Sequence, residues 1–196
     1  TIEAAINASA DGDMILLGDG GFHGPGNRDA PFQGKAITVR SAAGGPEACT
    51  IFCNGSVNEP HRGFLFTNDE PPGAVLQDVT ITGGCALQGG AVHVFDGATP
   101  TIVGCVFRGN QASGGQHGCG AVCATYSTRI EDCLFENNVG RSGGGLLLRS
   151  GGGVIVTGCT FRNNEASANG GAIYYASQPR VEGCLFIGNW AGGDGG

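Results

Sequence analysis

Five charged residues in the second half of the chain are the candidates for acid–base chemistry: Arg108, Glu131, Asp132, Glu136 and Arg162. A carboxylate can act as the base that removes a proton, and an arginine can neutralise a neighbouring carboxylate on a bound ligand. Two carboxylates at a set separation can instead support hydrolysis. Because arginine and glutamate alternate at equivalent repeat positions, the same residues also suit a solvated charge ladder, which is the interpretation we favour.

A metal site is the second chemistry to consider, because His117, Cys119 and Cys123 lie close together in the sequence. Zinc sites usually show paired short cysteine spacings and a clear fourth ligand, and none is evident here. The four histidines are scattered, and none pairs with an evident nucleophile. We therefore predict no metal, no cofactor and no catalytic residue, with the five charged residues above as the alternative groove.

The elements that must position these residues are set by a repeat. Four cysteines, spaced 28, 26 and 25 residues apart, are each followed two residues later by phenylalanine and five residues later by asparagine. The twelve residues are Cys105, Phe107 and Asn110, Cys133, Phe135 and Asn138, Cys159, Phe161 and Asn164, and Cys184, Phe186 and Asn189. A repeat of drifting length predicts stacked coils joined by variable turns.

Within each coil, the Cys-x-Phe step has the period of two that points both side chains of a strand inward. A second strand begins at a glycine signal, as in Gly170-Gly171-Ala172-Ile173. The sequence therefore predicts an all-β chain folded as a right-handed parallel β-helix, with ladders of stacked phenylalanine, asparagine and cysteine. The residues expected to face outward on the second strand are His93, Cys123, Leu147 and Tyr174.

The cysteine ladder is predicted to be reduced, because parallel stacked side chains strain a disulfide. One bridge among Cys85, Cys119 and Cys123 stays open as an alternative, and it would staple loops of adjacent coils.

The N-terminal part is less regular. A short amphipathic helix is predicted within Thr1–Ala10, where it would cap the apolar column, followed by a strand over Met14–Leu17. The segment Gly18–Gly34 is interpreted as a long surface loop. Further short strands are predicted at Ile37–Arg40, Thr50–Cys53 and Gly63–Phe66. We expect one domain over 1–196, divided into the cap and first strand (1–17), irregular coils (18–74) and regular coils (75–196), and belonging to a longer chain.

The formal net charge of −7 argues against a nucleic-acid backbone or an anionic membrane as partner. No apolar run reaches membrane-spanning length. We therefore expect no nucleic acid and no membrane insertion. The nine cysteines favour an extracellular or cell-surface setting, while an organelle or intracellular assembly stays open.

The alternation of Gly-Gly-Ala-Ile/Val with Phe-x-x-Asn between Gly89 and Asn189 resembles the repeats of polymorphic outer-membrane proteins, which are adhesin and autotransporter passengers. The segment from Gly34 to Ser41 and the Cys49-x-x-x-Cys53 strand resemble the opening of pectin-lyase-like parallel β-helix proteins. This resemblance implies the fold strongly and the function weakly, because adhesins, scaffolds, lyases, hydrolases and epimerases share the architecture.

Three functions are weighed from these observations. The leading hypothesis is a non-enzymatic β-helix module for adhesion, surface structure or scaffolding, whose partners are protein or glycan surfaces or neighbouring subunits of a larger assembly. The alternative is a polysaccharide lyase or epimerase acting on an acidic glycan. An ice- or mineral-binding surface is disfavoured, because the outward threonines form no regular grid.

Overall fold

The computed structural model describes residues 1–115, 118–149, 153–176 and 178–195. They form one helix, α1 (Ile2–Ala8), a single 3-10 turn (Pro46–Ala48) and 25 short strands. The strands of the first three coils are β1 Met14–Leu17, β2 Gly20–His23, β3 Ala30–Pro31, β4 Thr38–Ser41, β5 Cys49–Phe52, β6 Phe64–Phe66, β7 Val75–Gln77, β8 Thr80–Thr82, β9 Cys85–Ala86 and β10 Val92–Val94.

The last four coils continue with β11 Thr101–Val103, β12 Val106–Arg108, β13 Gln111–Ala112, β14 Val122–Ala124, β15 Arg129–Glu131, β16 Leu134–Glu136, β17 Val139–Ser142, β18 Leu146–Leu148, β19 Ile155–Thr157, β20 Thr160–Arg162, β21 Glu165–Asn169, β22 Ile173–Tyr175, β23 Arg180–Glu182, β24 Leu185–Ile187 and β25 Trp190–Ala191. None of the helices in these ranges has the length and apolar character of a membrane span.

Successive coils stack their strands into four parallel sheets. Sheet A runs β1-β4-β7-β11-β15-β19-β23 and sheet B runs β2-β5-β8-β12-β16-β20-β24. Sheet C runs β3-β6-β10-β14-β18-β22 and sheet D runs β9-β13-β17-β21-β25. The architecture is thus a parallel β-solenoid of about seven coils, which confirms the predicted fold class.

A single file of phenylalanine rings runs through the core. Phe107 pairs with Phe135, Phe135 with Phe161, and Phe161 with Phe186 in the registers of sheet B. Their ring centroids are 4.9, 4.6 and 5.2 Å apart, close to the spacing of parallel strands. The strand spacing therefore sets the stacking distance of the rings.

The N-terminal end of this core is covered by α1, as the sequence predicts. Thr1 caps the helix, and its hydroxyl oxygen accepts a hydrogen bond from the Ala4 amide at 3.2 Å. Ile2 and Ile6 are buried against the core. The ammonium group of Lys35 donates to the carbonyl oxygens of Ile6 and Ser9 at the end of the helix. The positive charge thus lies at the C-terminal end of the helix, where the helix dipole favours a cation.

The loop predicted for Gly18–Gly34 is wrong in part, because it contains β2 and β3. The strand β2 pairs with β5 from Gly20 against Cys49 to His23 against Phe52, and β3 pairs with β6. Glycine, proline and histidine have weak strand propensity, so these strands exist because the following coil offers a partner edge. The separate sheet D, with strands as short as two residues, is likewise absent from the sequence prediction.

Candidate functional site

Three of the predicted groove residues form an ion-pair ladder on the outer face of sheet B. Arg108, Glu136 and Arg162 occupy one register on β12, β16 and β20. Glu136 lies between the two arginines, with its carboxylate oxygens 2.8 Å from the Arg108 Nε and 2.9 Å from the Arg162 Nε. Both carboxylate oxygens of Glu136 are thus engaged by guanidinium groups, as in a charge ladder.

The other two groove residues lie on a different corner of the coil. Glu131, at the end of β15 in sheet A, pairs with Arg129 at 2.6 Å. Asp132 has the left-handed backbone (φ 51°) of a turn, and its side chain lies against Gly158 of the next coil. Within the described ranges, no hydrogen bond or ion pair joins these residues to the ladder on sheet B. The structure therefore separates the five residues into two surface features instead of one groove.

The cysteine ladder lies where it was predicted. Cys105, Cys133 and Cys159 are buried in a single column of the core, and all are free thiols. The Cys133 sulfur donates to carbonyl oxygens of its own coil and of the preceding one, at 3.2 Å to Glu131 and 3.7 Å to Ile102. Burial raises the pKa of Cys133 well above the ordinary range of a thiol. These thiols act as packing groups that also cap carbonyls at a corner.

The C-terminal end of the solenoid, formed by β22, β23, β24 and β25, is called the open face. Val181 and Phe186 are 37 % and 50 % exposed there, whereas their counterparts one coil earlier, Val156 and Phe161, are fully buried. The core columns thus reach the surface at the open face, in contrast to the N-terminal end under α1.

A second cluster lies on the outer side of sheet C and is called the thiol cluster: His93, Cys119, Cys123, Leu147 and Tyr174. His93, Cys123, Leu147 and Tyr174 do occupy the outward register of β10, β14, β18 and β22. Cys123 and Leu147 are nevertheless buried. The predicted outward direction is correct, but other parts of the chain lie over this side of sheet C and exclude water from these side chains.

The two thiols of the cluster interact with each other and with basic groups. Cys119 and Cys123 hydrogen-bond through their side chains, and the amide of Gly89 donates to the Cys119 sulfur at 3.1 Å. The hydrogen bond from Cys119, together with the hydrogen bond and charge of His93 and the charge of Arg149, lowers the pKa of Cys123 to about 6. Burial raises the pKa of Cys119. The two pKa values are thus shifted in opposite directions, and Cys123 is the thiol of the pair that loses its proton more readily.

Two arginines converge beside this cluster. Arg62 Nη1 donates to the carbonyl oxygen of Gln88 at 2.6 Å, and Arg149 Nη1 donates to the side-chain oxygen of the same residue at 2.9 Å. Arg62 is close enough to interact electrostatically with both Cys119 and Cys123. The chain thus places two fixed cations next to the pair of thiols, and cations stabilise a thiolate.

A carboxylate–imidazole pair lies on the other side of Arg62. Asp29 Oδ2 is 2.6 Å from His61 Nδ1, and Asp29 Oδ1 accepts the Arg62 amide at 2.9 Å. Sequence reasoning missed this pair and the basic partners of the thiols, because they come from different coils. An apolar outward column, running through Leu65, Leu147 and Tyr174, was the available sign that this face is covered.

The proposed metal ligand His117 lies outside the described residues. Within the described part of the chain, no group of three or more His, Cys, Asp or Glu side chains is arranged to hold a metal ion.

The parallel stacking of short strands in four sheets defines the chain as a β-solenoid. A family model described as a right-handed beta helix region matches residues 90–195, more than half of the chain, and the chain belongs to this family. The fold is consistent with the pectin-lyase-like superfamily. No curated protein and no solved structure matches the chain. The resemblance to adhesin repeats stays a prediction.

Proposed function

We propose that the chain is a non-enzymatic β-helix module for surface contact or scaffolding in a larger assembly, and that its open face receives a further parallel coil. The observation that carries the proposal is the exposure of Phe186 and Val181 in columns that are fully buried one coil earlier. An apolar column that reaches the surface at a sheet edge favours addition of another strand layer.

The asparagine ladder indicates the chemistry of the added coil. Asn138 donates from its amide N–H and from its side chain to the Asn164 side-chain oxygen, and Asn164 repeats this toward Asn189. Within the described residues, Asn189 makes only the bond from its side chain to the Phe161 carbonyl as a donor. A coil that places an asparagine over Asn189 and a phenylalanine over Phe186 would complete both columns.

The enzymatic alternative receives less support. A lyase or epimerase needs a base and a neutralising cation in one groove. Three of the five candidate residues lie on the outer face of sheet B and two at the end of β15, and Glu131 and Glu136 are each paired with arginine. The same pairing suits a surface whose charges are internally balanced and whose contacts are made by shape and by sheet edges.

A tryptophan placed in the phenylalanine column gives a direct test of the open face. Phe186→Trp is combined with replacement of the single natural tryptophan, Trp190→Phe, and the chain is extended after residue 196 by a second copy of residues 172–195 that carries phenylalanine at both positions. We expect acrylamide quenching of the tryptophan at position 186 to fall by about half or more and its emission to shift to shorter wavelength, because a stacked coil buries this half-exposed position as Phe161 is buried one coil earlier. The matched control extension carries serine at the positions equivalent to Phe186 and Asn189.

Equal quenching of the tryptophan at position 186 with the two extensions would contradict stacking at the open face. Incubation of the unextended chain with alginate and pectate tests the enzymatic alternative, since a lyase produces an unsaturated product that absorbs in the ultraviolet. Absorbance that rises with this chain, and falls in a Glu136→Gln variant, would overturn the non-enzymatic assignment.

A further inference from the structure

The thiol cluster is separate from the open face and from the cysteine ladder, and the proposed scaffold function gives it no role. We propose that Cys119 and Cys123 are a site of reversible two-electron oxidation that reacts with small hydroperoxides and closes to a disulfide. Cys123 is the attacking thiolate and Cys119 is the resolving thiol.

The geometry that carries this proposal is the pairing of the two sulfurs within a cluster that supplies basic groups. The thiols hydrogen-bond to each other, and Gly89 fixes the Cys119 sulfur through its amide at 3.1 Å. The buried Nε2 of His93 has no hydrogen-bond partner among the described residues, and His93 lies beside Cys123 in the register of sheet C. This ring nitrogen is therefore available to interact with the Cys123 sulfur.

The groups that face Cys123 come from several coils. They are Cys119 from the preceding segment, His93 from β10, Arg62 before β6, Arg149 after β18 and Tyr174 from β22. The two arginines are the fixed charges among these groups, and they make the environment of Cys123 net positive. This environment stabilises the thiolate that attacks a peroxide oxygen.

The other cysteines lack this combination. Burial raises the pKa of Cys49 to about 11 and that of Cys53 to about 12. The hydrogen bond from Cys133 lowers the pKa of Cys159, but no cationic side chain contributes to that shift. Cys159 also lies inside the core column, where oxidation would require the stacked coils to separate. Reactivity toward peroxide is therefore expected first at the thiol cluster.

The chemistry balances in two steps. The Cys123 thiolate attacks one oxygen of hydrogen peroxide, the O–O bond breaks, and Cys123 becomes a sulfenic acid while hydroxide leaves and takes up the proton released from Cys123. Cys119 then loses its proton as its sulfur attacks the Cys123 sulfur. A disulfide forms and the sulfenic oxygen leaves as a second water. Two thiols are oxidised by two electrons, and one peroxide is reduced to two waters.

Complete burial of both sulfurs sets the class of oxidant. A peroxide is about the size of a water pair, whereas a glutathione disulfide must bring a peptide to the sulfur. We therefore expect oxidised glutathione to react at least about tenfold more slowly than hydrogen peroxide at equal concentration. A faster reaction with glutathione disulfide would overturn the assignment to hydroperoxides.

The experiment treats the reduced full chain with hydrogen peroxide at pH 7, stops the reaction by alkylation and identifies the modified cysteines by mass spectrometry. With pKa values of about 6, 11 and 12, Cys123 is about 90 % ionised at pH 7 whereas Cys49 and Cys53 are ionised to less than about 0.1 %. We therefore expect the Cys119–Cys123 disulfide to form at least about 100-fold faster than Cys49 and Cys53 react. Dithiothreitol should restore both thiols. Equal rates at all these cysteines, or a disulfide that resists reduction, would overturn the proposal.

Two variants assign the roles. Cys119→Ser should leave Cys123 as a sulfenic acid that dimedone traps, and absence of this adduct would overturn the resolving role of Cys119. His93→Gln should slow oxidation at pH 7 about tenfold and move the midpoint of the rate–pH profile upward. An unchanged profile would overturn the role of His93. The wild-type comparison with Cys49 and Cys53 needs no variant and holds even where a substitution impairs folding.

Discussion

Asn138 accepts two hydrogen bonds from Asn110 of the preceding coil, one from its backbone amide at 3.0 Å and one from its side-chain amide at 3.1 Å. The Asn138 side chain also donates at 2.9 Å to the Phe107 carbonyl oxygen and at 2.9 Å to the Asn164 side chain. All donors and acceptors of a buried amide are thereby used. Burying an amide without partners would cost free energy, but here every polar atom of the side chain is hydrogen-bonded. The ladder therefore holds the turns of adjacent coils together.

Replacing Asn138 by aspartate should remove the hydrogen bonds that its side chain donates. A carboxylate cannot donate to Phe107 or to Asn164, and it would bury a negative charge. We expect Asn138→Asp to lower the free energy of unfolding by at least about 3 kcal/mol at pH 7, measured by urea unfolding.

The matched control is the neighbouring exposed residue. Asn137 has a left-handed backbone (φ 55°), which aspartate adopts at Asp132 in this chain. Asn137→Asp should change the free energy of unfolding by less than about 0.5 kcal/mol. Equal effects of the two substitutions would show that the ladder contributes nothing specific.

The stacked columns of the core, including this asparagine ladder, were predictable from the sequence because their residues repeat once per coil. A residue type that recurs once per coil must occupy one place in the stack, and the phenylalanine, asparagine and cysteine columns follow from spacing alone. The helix α1 followed from its amphipathic pattern. The strands β2, β3 and β9 were not predictable, because their residues become strand only through pairing with a neighbouring coil.

The thiol cluster was only partly visible in the sequence. The period of two gave the outward direction of Cys123 and Leu147, but it carries no information about what lies over that face. Arg62 and Arg149 meet at Gln88 although 26 and 61 residues separate them from it. Contacts of this kind depend on the path of the loops, and no local pattern encodes that path.

The phenylalanine file gives a test of core packing. Phe135 is fully buried between Phe107 and Phe161, so Phe135→Ala leaves a cavity that the stiff coils cannot close. We expect a loss of about 3–5 kcal/mol in the free energy of unfolding. Phe186→Ala, at the half-exposed end of the same file, is the control and should cost less than half as much. A larger loss at Phe186 would contradict the end-of-stack position.

The glycine signals before the second strand mark close backbone approaches. A Cβ atom on Gly144 would lie 2.3 Å from the Gly171 carbonyl oxygen and 2.6 Å from that of Glu165. Because these are backbone atoms of the next coil, Gly144→Ala must push the coils apart. We expect a loss of about 3 kcal/mol or more, seen as a lower thermal unfolding midpoint.

Gly45→Ala is the control for this substitution. Gly45 has an extended backbone (φ −154°), and nothing lies within 4 Å of a Cβ there. The variant should be neutral or up to about 1 kcal/mol more stable, since alanine restricts the unfolded chain. If both alanine variants behave alike, steric exclusion is not the reason for the glycine at 144.

Alkaline pH should lower the free energy of unfolding because of the buried thiols, and Cys53 is the example we work out. Burial, with a further contribution from Asp29, raises the pKa of Cys53 from 9.0 to about 12. Below pH 9 the thiol is neutral in both the folded and the unfolded chain. Between pH 9 and 12 the unfolded chain loses the proton and the folded chain keeps it, so stability falls as pH rises, by about 4 kcal/mol at most.

Urea unfolding at pH 8 and pH 10 measures this effect in an accessible range. The wild-type chain should lose about 1 kcal/mol more than Cys53→Ser between these values, because serine does not titrate there. Cys184→Ser is the control, since Cys184 is only partly buried and should account for a smaller share of the loss. An identical pH dependence in the wild-type chain and in Cys53→Ser would mean that Cys53 ionises as easily in the folded chain as in the unfolded chain. The complete burial of Cys53 should prevent this, because burial disfavours the charged thiolate.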